Sequence, residues 1–132
     1  ALMLALPHVF LVDVDHAGEG EFTFRLAGSF LEAAFGQTMT RRHVEDLKLD
    51  GHTDEILSRY RRTVAERAPS VSNLRFVNQD GRQFDYERLL LPLAVGELDR
   101  VEMILGGICF KSPLPTPSLS FLSRYHEDHG TL

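Results

Sequence analysis

Residues 53–94 read TDEILSRYRRTVAERAPSVSNLRFVNQDGRQFDYERLLLPLA, and inside this stretch the apolar spacing changes from helical to strand-like. Ile56, Leu57, Tyr60 and Val64 recur on one face of a helix predicted over Thr53–Ala68. Thr53 is placed to cap it, Asp54 and Glu55 suit the positive end of its dipole, and Pro69 stops it. From Ser70 the period becomes two. Ser70–Asn78 predicts a strand with Leu74 and Phe76 on one face, and Asp80-Gly81 is a strong short hairpin signal. Gln83–Ala94 returns as a long strand carrying Phe84, Tyr86, Leu89, Leu91 and Leu93, with Pro92 marking an edge or a bulge.

Toward the N-terminus, Pro7–Val14 reads as a strand that is apolar on both sides: Val9 and Leu11 one way, Phe10, Val12 and Val14 the other. Both sheet faces are therefore expected to be covered near it. After a turn at His16–Gly20, Glu21–Ala27 alternates, with Phe22, Phe24 and Leu26 sharing a face. A short helix over 28–36 follows, with Ser29 and Glu32 at capping-box spacing and Gly36 as its left-handed end. A further helical turn is expected near Arg42–Leu47. Toward the C-terminus, Arg100–Lys111 predicts a last strand with Val101, Met103 and Leu105 alternating before Gly106-Gly107, which permit a bend or close backbone approach. Residues 6–111 form the expected domain, and 112–132, with Pro113, Pro115 and Pro117, a tail.

The order is two strands, a helical middle, then three hairpin-linked strands. That is an α+β architecture with helices on one face of a five-stranded antiparallel sheet. Strand one must sit between strands two and five for the helices to cover the sheet, giving the order 2-1-5-4-3.

Composition narrows the function classes. The chain has 132 residues, 43% hydrophobic and 25% charged, which suits one globular domain. A formal charge of −5 argues against general phosphate-backbone binding; Arg59, Arg61, Arg62 and Arg67 share their segment with acids and read as a mixed solvated helix face. Cys109 is the single cysteine, so internal disulfides are excluded and a reducing cytoplasm is expected. The apolar start at residues 1–7 is too short to span a bilayer and lacks signal-peptide features, so no membrane anchor is expected.

No catalytic or metal pattern emerges. The histidines form neither a His-x-x-x-His nor a His-Glu-x-x-His motif, and His126 and His129 fall in the tail, where solvation explains them. Ser29 is better explained by capping than by nucleophilic chemistry. The glycine pairs lack phosphate-loop spacing.

Local strings then suggest a family. Phe24–Ser29 (FRLAGS) followed by Phe35-Gly36, the opening Leu6–Leu11 (LPHVFL), Asp80-Gly81-Arg82 and Leu89–Leu93 (LLLPL) together resemble a PAS (Per-Arnt-Sim) family common in alphaproteobacteria. The resemblance spans roughly residues 6–110. The chain departs from that pattern at Thr40, where Arg41 stands in place of a frequent glycine, and an N-terminal helical segment usual in the family would precede Ala1.

The resemblance implies a sensory module with a small ligand between the helices and the sheet, relaying its state to a homodimer partner or effector. Phe24, Arg25, Phe30, Phe35, Leu57, Tyr60, Val64, Tyr86 and Met103 are the candidate ligand-binding residues. Tyr60 and Tyr86 offer hydroxyls, and Arg25 either meets an anionic ligand group or pairs with a neighbouring carboxylate. A fully packed interior, with the side chains simply filling the core, is the alternative. No particular cofactor follows. The long helix lacks the histidine that some PAS domains use for haem, and Cys109, in the last strand between Ile108 and Phe110, reads as a packed, inert thiol rather than the reactive cysteine of flavin-based light sensing. Two other classes compete: a cone-shaped α+β isomerase or hydratase, which a buried acid facing the pocket would favour, and a ligand-free dimerisation adaptor, which an apolar outer sheet face would favour.

Overall fold

A computed structural model describes residues 8–16, 21–49, 51–77, 81–94 and 100–111. Strands β1 (Val9–Val14) and β2 (Phe22–Ala27) precede helix α1 (Ser29–Phe35), a 3-10 turn at Val44–Asp46 and helix α2 (Thr53–Glu66). Strands β3 (Ser70–Val77), β4 (Gln83–Ala94) and β5 (Val101–Phe110) complete a sheet in the order β2-β1-β5-β4-β3, antiparallel throughout. This is the expected topology. The hairpin between β3 and β4 turns through Gly81 at φ +77°, while Asp80 lies outside the described residues.

The core lies between the sheet and the helices. Phe10, Val12 and Val14 of β1, Phe22 and Phe24 of β2, Phe84, Tyr86 and Leu90 of β4, and Ile104 and Ile108 of β5 are buried on the inner face. Leu31, Ala34 and Phe35 of α1 and Ile56, Tyr60 and Thr63 of α2 cover them. Each large apolar side chain sealed there contributes about 1.5–3 kcal/mol. Gly106 faces Phe10 across the β1–β5 ladder, and a Cβ at Gly106 would lie 1.9 Å from the Phe10 ring, so the ring rests on bare backbone.

Two bulges correct the expected alternation. Between Leu11 and Val12 the partners jump from Leu26 to Phe24, so Arg25 is an extra residue in β2. Past it the strand's faces swap: Ala27 is buried and Leu26 is 50% exposed. Glu102 is likewise extra in β5, between the partners of Leu93 and Ala94, so Val101 and Ile104 are buried while Met103 turns outward. Leu89 is also outward, because the inner parity of β4 runs through Phe84, Tyr86, Arg88 and Leu90. Cys109 is exposed rather than packed, for it alternates with the inward Ile108. Pro92 is tolerated where β4 overhangs β3, whose pairing ends at Ser70 opposite Leu90.

Two expected caps are also replaced. Gly28, not Ser29, is the N-cap of α1, with no side-chain cap bond. Glu32 is buried instead, and its Oε2 accepts from the backbone N–H groups of Met39 (2.6 Å) and Thr40 (3.2 Å). His52 rather than Thr53 occupies the N-cap position of α2, again with no side-chain cap bond, and the helix ends at Arg67 in the left-handed region, φ 53°. Gln37 pins the same loop by giving and taking hydrogen bonds with the backbone of Lys48. The outer face carries its own apolar row, Leu26–Leu11–Leu105–Leu91, in register across four strands.

Candidate functional site: a cavity between helix α2 and the sheet

Because α2 presents Ile56 and Tyr60 toward the sheet, while α1 and the following loop contribute Leu31, Phe35, Met39 and Leu49, these bulky groups close a space over β1, β2, β4 and β5. A cavity of about 40 Å³ remains, floored by Phe10, Phe24, Tyr86, Arg88 and Ile108. Its walls are apolar almost throughout. Tyr60 meets Phe22 edge-on at 5.3 Å, and Phe35 meets Phe76, Phe84 and Tyr86 at 4.7, 5.7 and 5.6 Å.

Arg88 is the polar exception. Its side chain is 3% exposed, and it grips Glu55 in the first turn of α2 with Nη1–Oε1 3.2 Å and Nη2–Oε2 2.9 Å. The guanidinium lies 5.8 Å from the Tyr60 ring centre, a cation–π distance. Its Nε is buried and has no hydrogen-bond partner. An unmatched donor in such a place costs free energy unless something supplies an acceptor. Burial raises the Tyr60 hydroxyl well above the ordinary phenol range, with Arg88 pulling against it. Burial likewise pushes Tyr86 up to about 12, again with Arg88 opposing. Both phenols therefore stay neutral near pH 7.

Four of the nine anticipated ligand residues, Phe24, Phe35, Tyr60 and Tyr86, meet at this cavity. The other five do not. Phe30 is half-buried at the sheet's end, between His8 (4.7 Å) and Phe110 (5.5 Å). Leu57 packs against the rim of the core. Val64 lines a separate surface cleft with His16, Glu21 and Arg61. The bulged Arg25 takes the second of its two anticipated roles, pairing at the surface with Asp13 (3.1 Å), while Met103 needs correction, since the bulge at Glu102 sends it to the outer face.

Arg88, Glu55, Met39 and Leu49 escaped the sequence reading. For Arg88 a signal existed, since it continues the inward parity of Phe84 and Tyr86 and precedes Leu90 in the same series. No group of histidine, cysteine and carboxylate side chains suited to a metal ion occurs among the described residues, and none of the helices among them is long and apolar enough to cross a membrane. His126 and His129 lie outside the described residues.

Comparison with known proteins gives the fold its relatives. A light-oxygen-voltage domain studied with a flavin analogue is 15% identical, with a TM-score of 0.62 over 96% of this chain and 89% of that one. The PAS domain of a Colwellia psychrerythraea protein is 17% identical, with a TM-score of 0.59 over 86% of this chain and 96% of that one. A Rhodobacter sphaeroides LOV protein is 16% identical, with a TM-score of 0.60 over 95% and 74%. Identities this low speak to fold alone. No curated protein matches in sequence. The family model described as "PAS domain" matches residues 1–109, and the antiparallel 2-1-5-4-3 sheet with its helices on the inner face agrees with it, so this chain belongs to the PAS domain family.

Proposed function

We propose that the chain is a sensory signalling module in which a small molecule or partner protein changes how α2 packs on the sheet, and homodimer or effector contacts pass the change on. The observation that carries this reading is the cavity beneath Ile56 and Tyr60, tied to the start of α2 by the Arg88–Glu55 pair. A ligand that fits one packing of α2 better than another biases the two by its differential affinity. Binding rather than catalysis is favoured, since the buried carboxylate of Glu32 is engaged by backbone amides instead of facing the cavity. The chain's −5 charge favours protein or small-molecule partners over nucleic acid.

The flavin named for one structural neighbour does not fit here. Drug-sized ligand pockets run about 300–1,000 Å³, against about 40 Å³ in this protein, and Cys109 sits on the opposite face of the sheet from the cavity. The same small volume favours a second reading, a ligand-free dimerisation adaptor, for which the outer leucine row is the supporting observation.

Two measurements separate these. Under xenon pressure, the sensor reading expects shifted methyl resonances of Ile56 and Ile108 together with altered amide exchange along α2. Methyls that shift while α2 exchanges as before sink the relay. Native mass spectrometry showing a dimer without retained ligand, together with an interior closed to xenon, selects the adaptor.

A further inference from the structure

The Arg88 guanidinium is chemically half used. Of its five N–H donors, Glu55 takes one from each Nη, and Nε is left buried with no acceptor, on a side chain that lines the cavity. Its charge, by contrast, is already balanced by the Glu55 carboxylate. A second anion beside it would leave a net negative charge among Phe24, Phe35, Met39 and Ile108, where charge is poorly solvated. The open valence is a hydrogen-bond donor and not an unpaired charge.

Volume narrows the choice further. A single water takes about 10–15 Å³, so about 40 Å³ leaves room for roughly three or four water-sized groups at most, far short of the about 150 Å³ that holds benzene. A water would satisfy Nε but leave most of its own two to four hydrogen bonds against hydrocarbon. A carbonyl oxygen accepts from Nε and turns an apolar remainder to the rest of the wall.

Resting on the reading that this cavity admits a ligand, we propose that it takes a small uncharged carbonyl compound, held by Arg88 Nε–H, and that Glu55 is the residue that excludes anions. Glu55 does this from the first turn of α2, so the helix sets the charge selectivity of a donor carried by the sheet.

The test follows the Arg88 Nε–H resonance by nitrogen–proton correlation NMR while acetone, sodium acetate or xenon is added to the whole chain. Acetone is expected to move that resonance and to bind about tenfold more tightly than acetate, which matches it in heavy atoms but would add a second negative charge beside Glu55. Arg88→Met should remove the acetone preference and leave xenon entry intact. Should that variant not fold, Glu55→Gln carries the test, because it leaves Arg88 charged and unbalanced and should reverse the order so that acetate binds better than acetone. Xenon entry with an unmoved Nε–H under acetone, or Nε–H contacts to water only, overturns the assignment and spares the sensor reading. An unchanged order in Glu55→Gln also overturns it. Exclusion of xenon itself overturns both.

Discussion

Both faces of the sheet carry apolar side chains, yet only one is covered by helices. On the inner face, side chains from five strands meet two helices and seal residues such as Val12, Leu90 and Ile104 completely. On the outer face, a row of leucines lies in register while Leu26, Val71 and Leu89 remain 50%, 57% and 39% exposed. Composition is thus a poor guide to which side holds the fold together. What matters is whether a second layer removes water from both sides of each contact, since free energy follows area actually withdrawn from solvent.

Leu89 and Leu90, neighbours in β4, put the comparison most sharply. Leu90→Ala should cost about 2–5 kcal/mol and Leu89→Ala less than about 1 kcal/mol by denaturant unfolding; equal losses would show that the outer face is covered after all. Alkaline pH gives the next largest effect. Burial holds Tyr86 at about 12 and Tyr60 higher, against 10.0 for a free phenol, so the folded chain binds these protons more tightly than the unfolded one. Their stabilisation is complete below pH 10 and is lost as pH rises toward 12, by about 2–3 kcal/mol for Tyr86 alone. Tyr86→Phe should flatten that decline. Tyrosinate absorbance from these residues that appears well before unfolding would break the prediction.

The adjacent glycines repeat the contrast on a smaller scale. Gly106→Ala drives a methyl into the Phe10 ring and should cost about 1–3 kcal/mol. Gly107→Ala, with nothing within 4 Å, should change stability by less than about 0.5 kcal/mol. Ion pairs give the smallest separation. Glu55→Ala strands a buried Arg88, but Glu55 is itself 36% exposed, so the loss is about 1–2 kcal/mol rather than that of a fully buried pair. Asp13→Ala breaks a surface pair with Arg25 and should cost about 0–1 kcal/mol. Equal thermal shifts for the two would deny Arg88 its special place.

Much of this was legible in residue order. The switch from helical to alternating spacing at Pro69, the hairpin before Gly81 and the apolar first strand lead to the observed topology. The bulges were not legible, because an extra residue such as Arg25 or Glu102 leaves no mark in a hydrophobicity pattern and yet reverses every side chain beyond it. That is why Leu26 and Met103 were expected inside. The cavity was half legible: aromatic residues at inward positions announced themselves, whereas Arg88 needed strict parity counting along β4, and Glu55 needed the tertiary approach of α2. Glu32 at capping-box spacing was misread because the pattern takes no account of a loop folding back onto the carboxylate.

The tether at each end of α2 limits how that helix can move. Its first turn is fastened to β4 through Glu55 and Arg88, and near its other end Thr63 Oγ1 lies 3.3 Å from Ser70 Oγ at the start of β3, with only residues 67–69 between helix and strand. Both moorings resist sliding along its own axis. A roll about that axis, with Tyr60 near mid-span, strains these two links less than a slide does.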